Sequence, residues 1–275
     1  MRFSLKNLLR RLYKKSFEED VFSRAAAVAF YFSFAFFPLL LFLISLIGLV
    51  LGNASDLLAE LFLYLGKIMP PSAFELAQTT IAEVIVGSSR TTLTIGLAIT
   101  LWSASAGLDN LRVALNGVYN LRESRARWKT LLLAPLITVC VCLLISIALG
   151  SIFYSSRLAS WLLPSAVPYV VRPLSWLIVV VAMLLAFFLL YSILPDHKER
   201  VWRWITPGSL VGVCLWLLLS LIFQVYLSFF DTYAGTYGSL GAMIILMLWL
   251  YLTALVILIG AIVNVIFDDF TKKKK

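Results

Sequence analysis

The sequence predicts an all-α integral membrane protein: a six-transmembrane-helix bundle with a basic amphipathic N-terminal helix and an outer helical hairpin between spans 1 and 2. The composition is the first reason, because 61% of the 275 residues are hydrophobic and only 13% are charged. A soluble domain is typically about a quarter charged. The second is that six apolar segments approach or exceed the about 20 residues that a span requires. The third is the uneven distribution of Lys and Arg.

The six apolar segments define the domain organisation. A basic N-terminal segment covers 1–24, a membrane domain covers 25–267, and a basic tail covers 268–275. The predicted spans are about 25–50, 91–108, 131–154, 174–194, 207–230 and 239–267. The first apolar run, 25–52, is longer than the core of about 7–15 residues in a signal peptide. We therefore expect it to be a permanent span.

The basic residues predict the orientation. The segments before, between and after the predicted spans fall alternately on the two sides of the membrane. Those on one side hold 19 of the 23 Lys and Arg residues, and those on the other side hold 4. Because Lys and Arg are concentrated in cytoplasmic connections, we expect an even number of spans and both termini in the cytoplasm. This distribution also accounts for the net charge of +9, so we expect no nucleic-acid partner.

The N-terminal segment has the pattern of an interfacial helix. Leu5, Leu8, Leu9 and Leu12 recur at helical spacing, with Lys and Arg between them. This pattern is typical of a helix on an anionic lipid surface, and we expect it to contact anionic headgroups at the cytoplasmic face. A protein partner is the alternative.

The outer segment 53–90 predicts a helical hairpin over the mouth of the bundle. Pro70 and Pro71 end its first half, and Ser72 and Glu75 have the spacing of a capping box at the start of the second. The hairpin could act as a lid or as a structural cap.

A polar stripe follows the second span. Asp109 and Arg112 are three residues apart, so they can pair on one helix face if the helix continues through them. Asn110, Asn116 and Asn120 extend the polar sequence. Two interpretations are open: the stripe lines a substrate cavity that opens to the cytoplasm, or it is an interfacial salt bridge outside the membrane.

The first span contains Tyr31 and Pro38. A proline inside a helix removes one backbone hydrogen bond and favours a kink. A freed carbonyl at membrane depth must face protein or water, so the kink is a candidate cavity wall or hinge. Packing without any functional role is the alternative.

Four further polar residues complete the substrate-cavity candidates. Asp231 and Tyr237 lie in a glycine-containing segment that we expect to be a short outer loop, 231–238. Gln224 and Asn264 are isolated polar residues in spans five and six. For these two, hydrogen bonding between helices is the favoured role.

The sequence offers no basis for an enzyme. Cys140, Cys142 and Cys214 lie in apolar runs, and His197 is the single histidine, expected in a solvated turn beside Asp196. No metal-ligand spacing and no nucleophile–base pair are present. We therefore expect no catalytic residue, no metal site and no cofactor.

The order of several short motifs resembles the YihY/BrkB family of bacterial inner-membrane proteins, formerly labelled ribonuclease BN-like. The motifs are Ala25 to Tyr31, Phe36 to Leu40, Gly107 to Asn116 with Tyr119, Tyr191 with Leu194-Pro195, Pro207-Gly208, Tyr226, Tyr237 to Gly241, Trp249 to Tyr251, and Gly260-Ala261 with Asn264. The resemblance implies a six-helix protein of the inner membrane. It departs at Ile262, where the family often has an acidic residue, so a coupling role for that carboxylate does not transfer.

Two functions from different classes are consistent with these features. The first is a transporter or flippase-like protein that moves a lipid or small solute through an intramembrane cavity. The alternative is a non-transporting envelope protein that organises lipids or partner proteins. Gly208 and Gly212, four residues apart, permit close helix packing, so both a homo-oligomer and packing inside one bundle are open.

Overall fold

The computed structural model describes residues 5–51, 63, 78, 90–153, 167–197, 205–229 and 231–272, and all regular structure in these residues is helical. In chain order the elements are α1 (Leu5–Glu18), α2 (Val21–Leu51), α3 (Arg90–Val118), α4 (Arg127–Phe153), α5 (Val167–Phe188), a π-helical segment (Leu189–Ile193), α6 (Pro207–Phe229) and α7 (Asp231–Lys272).

Helix α7 occupies the middle of the described arrangement. It packs against α6, α2, α1 and α3, while α2 and α3 run along each other over a long contact. Helix α4 lies between α3 and α5, and α5 also contacts α6. Each helix therefore packs against at least two others.

The described apolar core lies at one end of the bundle. Its buried members come from the first halves of α2, α4 and α6 and from the last parts of α3, α5 and α7; they include Val21, Val28, Leu111, Leu115, Ile137, Val213, Leu258 and Ile262. Because these helix ends lie together, the connections 119–126 and 194–197 meet at the same end, beside α1.

Among the described residues, four helices are long and apolar enough to cross a membrane: Arg127–Ile152, Pro173–Ile193, Pro207–Leu227 and Met243–Phe270. A shorter apolar stretch, Val21–Phe36, lies in α2. Large apolar side chains on these helices stay exposed, for example Leu132, Leu136, Leu218 and Leu221. Continuous exposed apolar surface is unfavourable in water but suits contact with lipid. These are the features of a helical, multi-pass membrane protein.

The helix bounds differ most from the predicted spans in two places. Helix α3 continues to Val118, so the polar stripe from Asp109 to Asn116 is helical. Helix α7 begins at Asp231, so the prediction of a loop at 231–238 is wrong. Glycine permits a loop, but a polypeptide near lipid satisfies its backbone groups most fully as a helix. The predicted hairpin at 53–90 lies outside the described residues, apart from Leu63, Gln78 and Arg90, which are helical.

Glycines permit a close crossing of α6 and α7. A Cβ on Gly208 would overlap the Gly260 carbonyl oxygen and lie 2.6 Å from the amide of Asn264. A Cβ on Gly260 would overlap the Tyr191 hydroxyl and lie 2.8 Å from the Gly208 carbonyl oxygen. Small residues let two backbones approach closely, and here Gly208 serves packing inside one chain.

We expect Gly260→Ala to destabilise the protein, because the added methyl group has no space between α6 and the π-helical segment. Overpacking of this kind costs about 1–3 kcal/mol, which thermal unfolding in detergent would detect as a lower Tm. Gly150→Ala is the matched control, since a Cβ there meets nothing within 4 Å. Equal Tm values for the two variants would contradict the tight crossing.

Candidate functional site

The polar stripe on α3 forms an ion pair at the end of the bundle. Arg112 Nε lies 2.9 Å from Asp109 Oδ1, so the predicted pairing of these residues is confirmed. Arg112 is buried, with 8% of its surface exposed. A buried guanidinium is costly unless it is paired and hydrogen-bonded.

The chain turns back after α3 and brings a second carboxylate to Arg112. Asn120 has a φ of 55°, a left-handed conformation that asparagine tolerates better than most residues. Leu121 N then donates to the Asn116 carbonyl oxygen at 2.7 Å. As a result Glu123 Oε2 accepts from Arg112 Nη1 and from Asn116 Nδ2, at 3.1 Å.

Asn116 connects this turn to the segment that follows the π-helical segment. Its Oδ1 accepts a hydrogen bond of 2.9 Å from the Asp196 backbone N–H, while its Nδ2 donates to Glu123. The Asp196 carboxylate in turn accepts from the backbone N–H and the hydroxyl of Ser124, each at 2.6 Å. Two connections that are distant in sequence, 119–126 and 194–197, are therefore joined to each other and to the end of α3 through two polar side chains.

Arg125 completes the arrangement. Its Nε lies 3.2 Å from Asp196 Oδ1, and its two Nη atoms donate to the carbonyl oxygens of residues 193, 194 and 195 at 3.2, 3.0 and 2.5 Å. The last carbonyls of a helix have no partner within it, so Arg125 satisfies the end of the π-helical segment. We call Asp109, Arg112, Asn116, Glu123, Ser124, Arg125 and Asp196 the ion-pair network.

Electrostatics keep Asp196 ionised. Burial raises the pKa of its carboxyl, but the two hydrogen bonds from Ser124 and the Arg125 guanidinium lower it by more in sum, so the pKa lies below the ordinary value. Arg112 is likewise matched by two carboxylates. In this conformation an anionic ligand would have to displace one of them to reach Arg112.

A second set of contacts lies beside the ion-pair network. Asn264 Nδ2 donates to the Tyr119 hydroxyl at 3.1 Å, and Gly208 N donates to Asn264 Oδ1 at 2.7 Å. The predicted interhelical role of Asn264 is confirmed. The His197 ring packs edge-on against Tyr119, with centroids 4.9 Å apart, and its Nε2 lies 3.0 Å from the Tyr191 carbonyl oxygen. His197 is thus partly buried, and the prediction of a solvated turn is wrong.

The other candidates whose side chains the structure describes do not join the network. Tyr31 and Gln224 are exposed, and Asn110 is partly buried. Pro38, Asp231 and Tyr237 lie within α2 and α7, and their side chains are outside the described residues. Cavity lining therefore stays a prediction for these positions.

Sequence reasoning missed Glu123, Ser124, Arg125 and Asp196 as site residues. A signal was present for Glu123, because it is the one acid in the basic stretch 119–130, whereas Asp196 shares its connection with Glu199. An isolated acid among Lys and Arg is a candidate partner for a guanidinium. Within the described part of the chain, no group of three His, Cys, Asp or Glu residues could hold a metal ion.

Comparison with known families identifies the chain. It matches the family described as "Virulence factor BrkB" over residues 12–275. The chain belongs to this family. The BrkB match agrees with the resemblance seen in the motifs, and it covers all described residues of the ion-pair network.

Relatives of this BrkB family member cover most of its length. The "Putative ribonuclease-like protein YfkH" of Bacillus subtilis is 28% identical over 274 residues, which are 98% of this chain and 97% of the relative. A "UPF0761 membrane protein" of Klebsiella pneumoniae is 30% identical over 74% of this chain and 70% of its own length. Another of that name, from Cronobacter sakazakii, is 28% identical over 80% of this chain and 75% of its own. No solved structure shows significant similarity to the chain.

We expect Asn116→Asp to destabilise the network, although it preserves shape. The new carboxylate can still accept from the Asp196 N–H, but it faces Glu123 where the amide donated a hydrogen bond. Losing a donor to a charged group costs about 1.5–3 kcal/mol, measurable as a lower Tm in detergent. Asn110→Asp, on the same helix and partly exposed, is the control; an equal effect of the two changes would refute the assignment.

Acid should destabilise the protein through Asp196. Its pKa is lowered in the folded state, so its contribution is complete above the ordinary carboxyl pKa of about 3.9 and is lost as the pH falls through the folded-state pKa. Asp196→Asn should therefore lower Tm at neutral pH and reduce the loss of Tm on acidification. Glu18→Gln, which removes an exposed carboxylate outside the network, is the matched control. An Asp196→Asn variant with the parent's acid dependence would oppose this account.

Proposed function

We propose that this BrkB family member is a transporter or flippase-like protein that moves a lipid or small solute between its helices. The ion-pair network would close the cytoplasmic side of that path in the conformation described here. The observation that carries the proposal is that the network joins the end of α3, the connection 119–126 and the segment 194–197 at one end of the bundle by polar contacts. In this role the residues hold a closed state, and the substrate enters when they part.

A polar junction is suited to opening at a membrane surface. When apolar surfaces separate, they expose area to water at about 25 cal/mol per Å². When ion pairs and hydrogen bonds separate at the surface, water replaces each lost partner, so the net cost is about 1.5–3 kcal/mol for each bond to a charged group. The connections that carry Ser124 and Asp196 can thus part without exposing apolar area to water, while the apolar core beneath keeps the helices together.

We further propose six spans, a bacterial inner-membrane location and both termini in the cytoplasm. The alternation of connections rich in Lys and Arg with connections poor in them supports this topology. So do two contacts between the basic segments: Lys15 Nζ lies 3.5 Å from Asp269 Oδ2, and Ser124 binds Asp196. Segments assigned to the same side of the membrane therefore meet at the same end of the bundle.

The proposal also concerns partners. We assign membrane lipids as the partners of the protein, and we assign it neither a nucleic-acid partner nor an enzymatic activity. The transport path lies within a single copy of the chain. Gly208 and Gly212 support a path within one copy, because Gly208 packs on Gly260 and Gly212 packs on Phe187 and Tyr191 of the same chain. The ribonuclease-like name belongs to the Bacillus relative, and we do not transfer it.

A reversible cross-link tests the closure directly. With Cys140, Cys142 and Cys214 replaced by Ala, Ser124→Cys and Asp196→Cys can be bridged by a short bis-methanethiosulfonate reagent. Proteoliposomes of phosphatidylcholine and phosphatidylglycerol, each carrying a fluorescent analogue, would report lipid movement. We expect the bridge to abolish movement, and reduction to restore it to at least the parental rate.

The control is the Ser124→Cys variant alone, treated with the same reagent. Unchanged movement after complete bridging of the pair would refute closure by the network. If the parent moves neither lipid analogue, lipid transport is refuted, and native mass spectrometry of the gently released protein would identify any retained small solute.

One observation favours the second function, an envelope protein that organises lipids. Helix α1 presents an exposed apolar face bordered by basic residues, which a transport path does not require. That function predicts loss of activity in cells on deletion of 1–20 with tolerance of Asn116→Asp. The transport proposal predicts sensitivity to Asn116→Asp.

A further inference from the structure

Helix α1 is held on the bundle by one of its faces. Leu8 and Leu12 pack against the apolar core, and Lys15 pairs with Asp269 near the end of α7. The Arg11 guanidinium lies over the Phe270 ring, 4.5 Å from its centroid. Because the apolar part of α7 ends at Phe270, these contacts place α1 at the level where a spanning α7 would leave the hydrocarbon.

A different face of α1 is apolar and uncovered. Leu9, Tyr13 and Phe17 are spaced four residues apart, and 58%, 68% and 57% of their surfaces are exposed. Tyr13 and Phe17 are in ring contact at 4.8 Å. Three large side chains in one row exceed the scattered apolar residues that a water-facing surface normally carries.

This row continues into the exposed surface of the first apolar helix. The Phe17 ring contacts that of Phe22 at 5.3 Å, and Phe22 lies in the first turn of α2. Further along α2, Phe30 and Phe34 are also exposed. The apolar face of α1 is therefore continuous with a surface that would face lipid.

Basic residues flank the row of Leu9, Tyr13 and Phe17 on one side. Arg10 and Lys14 are exposed, and they follow Leu9 and Tyr13 directly in sequence, which places them about 100° further around the helix. Lys14 has a salt bridge of 3.4 Å to Glu18, but both side chains are largely exposed, so the pair contributes little. Two cations beside an apolar row suit anionic headgroups, because Lys and Arg can extend their charges to the phosphates while their stems stay near lipid.

We propose that Leu9, Arg10, Tyr13, Lys14 and Phe17, the outer face of α1, bind the headgroup zone of an anionic leaflet in the membrane that the bundle spans. Leu9, Tyr13 and Phe17 enter the upper hydrocarbon, and Arg10 and Lys14 contact lipid phosphates. Continuity with α2 and the basic border favour lipid over a protein partner. This inference does not depend on transport, and it holds for either proposed function.

Depth-dependent quenching tests this assignment in the full-length chain. In the variant without native cysteines, Phe17→Cys is labelled with a fluorophore and placed in nanodiscs that hold one copy. We expect quenching by a lipid with a spin label near its headgroup and protection from aqueous iodide. Leu9→Cys, labelled in the same way, is a second position in case the first label disturbs folding.

The dependence of binding on lipid charge distinguishes a surface that uses its basic residues from one that binds through apolar side chains alone. In discs with equal parts of phosphatidylcholine and phosphatidylglycerol, Arg10→Gln with Lys14→Gln should weaken docking of α1 by about 10- to 30-fold, since each basic residue near an anionic surface contributes about 1 kcal/mol. In discs of phosphatidylcholine alone the pair of changes should have little effect. Arg122→Gln with Arg127→Gln alters net charge equally on exposed residues elsewhere and should leave the quenching unchanged.

Three results would overturn the proposal. Equal access of iodide to the label in discs and in detergent would show a water-facing helix. Protection only in discs with two copies would identify a second copy as the occupant. Equal loss of lipid quenching in the Arg122/Arg127 control would show that the loss comes from the change in net charge and not from the outer face of α1.

Discussion

The burial of Arg112 is the constraint on which the described end of the bundle depends. A chain with few charged residues places this guanidinium among packed helices, where an unpaired charge would cost several kcal/mol. Asp109 lies one helical turn away and supplies the first carboxylate. Glu123 supplies the second only because the chain reverses at Asn120. Neutralising one buried cation thus determines the course of the chain after α3, and through Asn116 it also determines where the segment around Asp196 lies.

The end of α5 depends on the same contacts. In the π-helical segment, Leu194 N donates to the Leu189 carbonyl oxygen at 3.0 Å. Within this wider turn, the Tyr191 hydroxyl donates to the Ile257 carbonyl oxygen of α7 at 2.8 Å. The terminal carbonyls need donors, which Arg125 provides. Charge neutralisation and helix termination therefore share residues, so a movement that releases Arg125 also frees the end of α5.

The sequence alone predicted the features that depend on local pattern. Apolar runs located the helices, and the three-residue spacing predicted the Asp109–Arg112 pair. Glu123 and Asp196 escaped prediction because their partners are chosen by a left-handed turn and by a contact between distant segments, neither of which leaves a periodic signal. The glycines of 231–238 misled in another way: their conformational freedom suggested a loop, whereas α7 starts at Asp231.

The most direct test of the central claim is a double-mutant cycle between Arg125 and Asp196. Unfolding free energies of the parent, Arg125→Met, Asp196→Asn and the double variant would be measured in the same detergent. If the network joins the two connections, the coupling free energy should be about 1–3 kcal/mol, the range for residues in one salt-bridge network. Strictly additive effects would contradict the account, because they would mean that the two connections are held in place independently of each other.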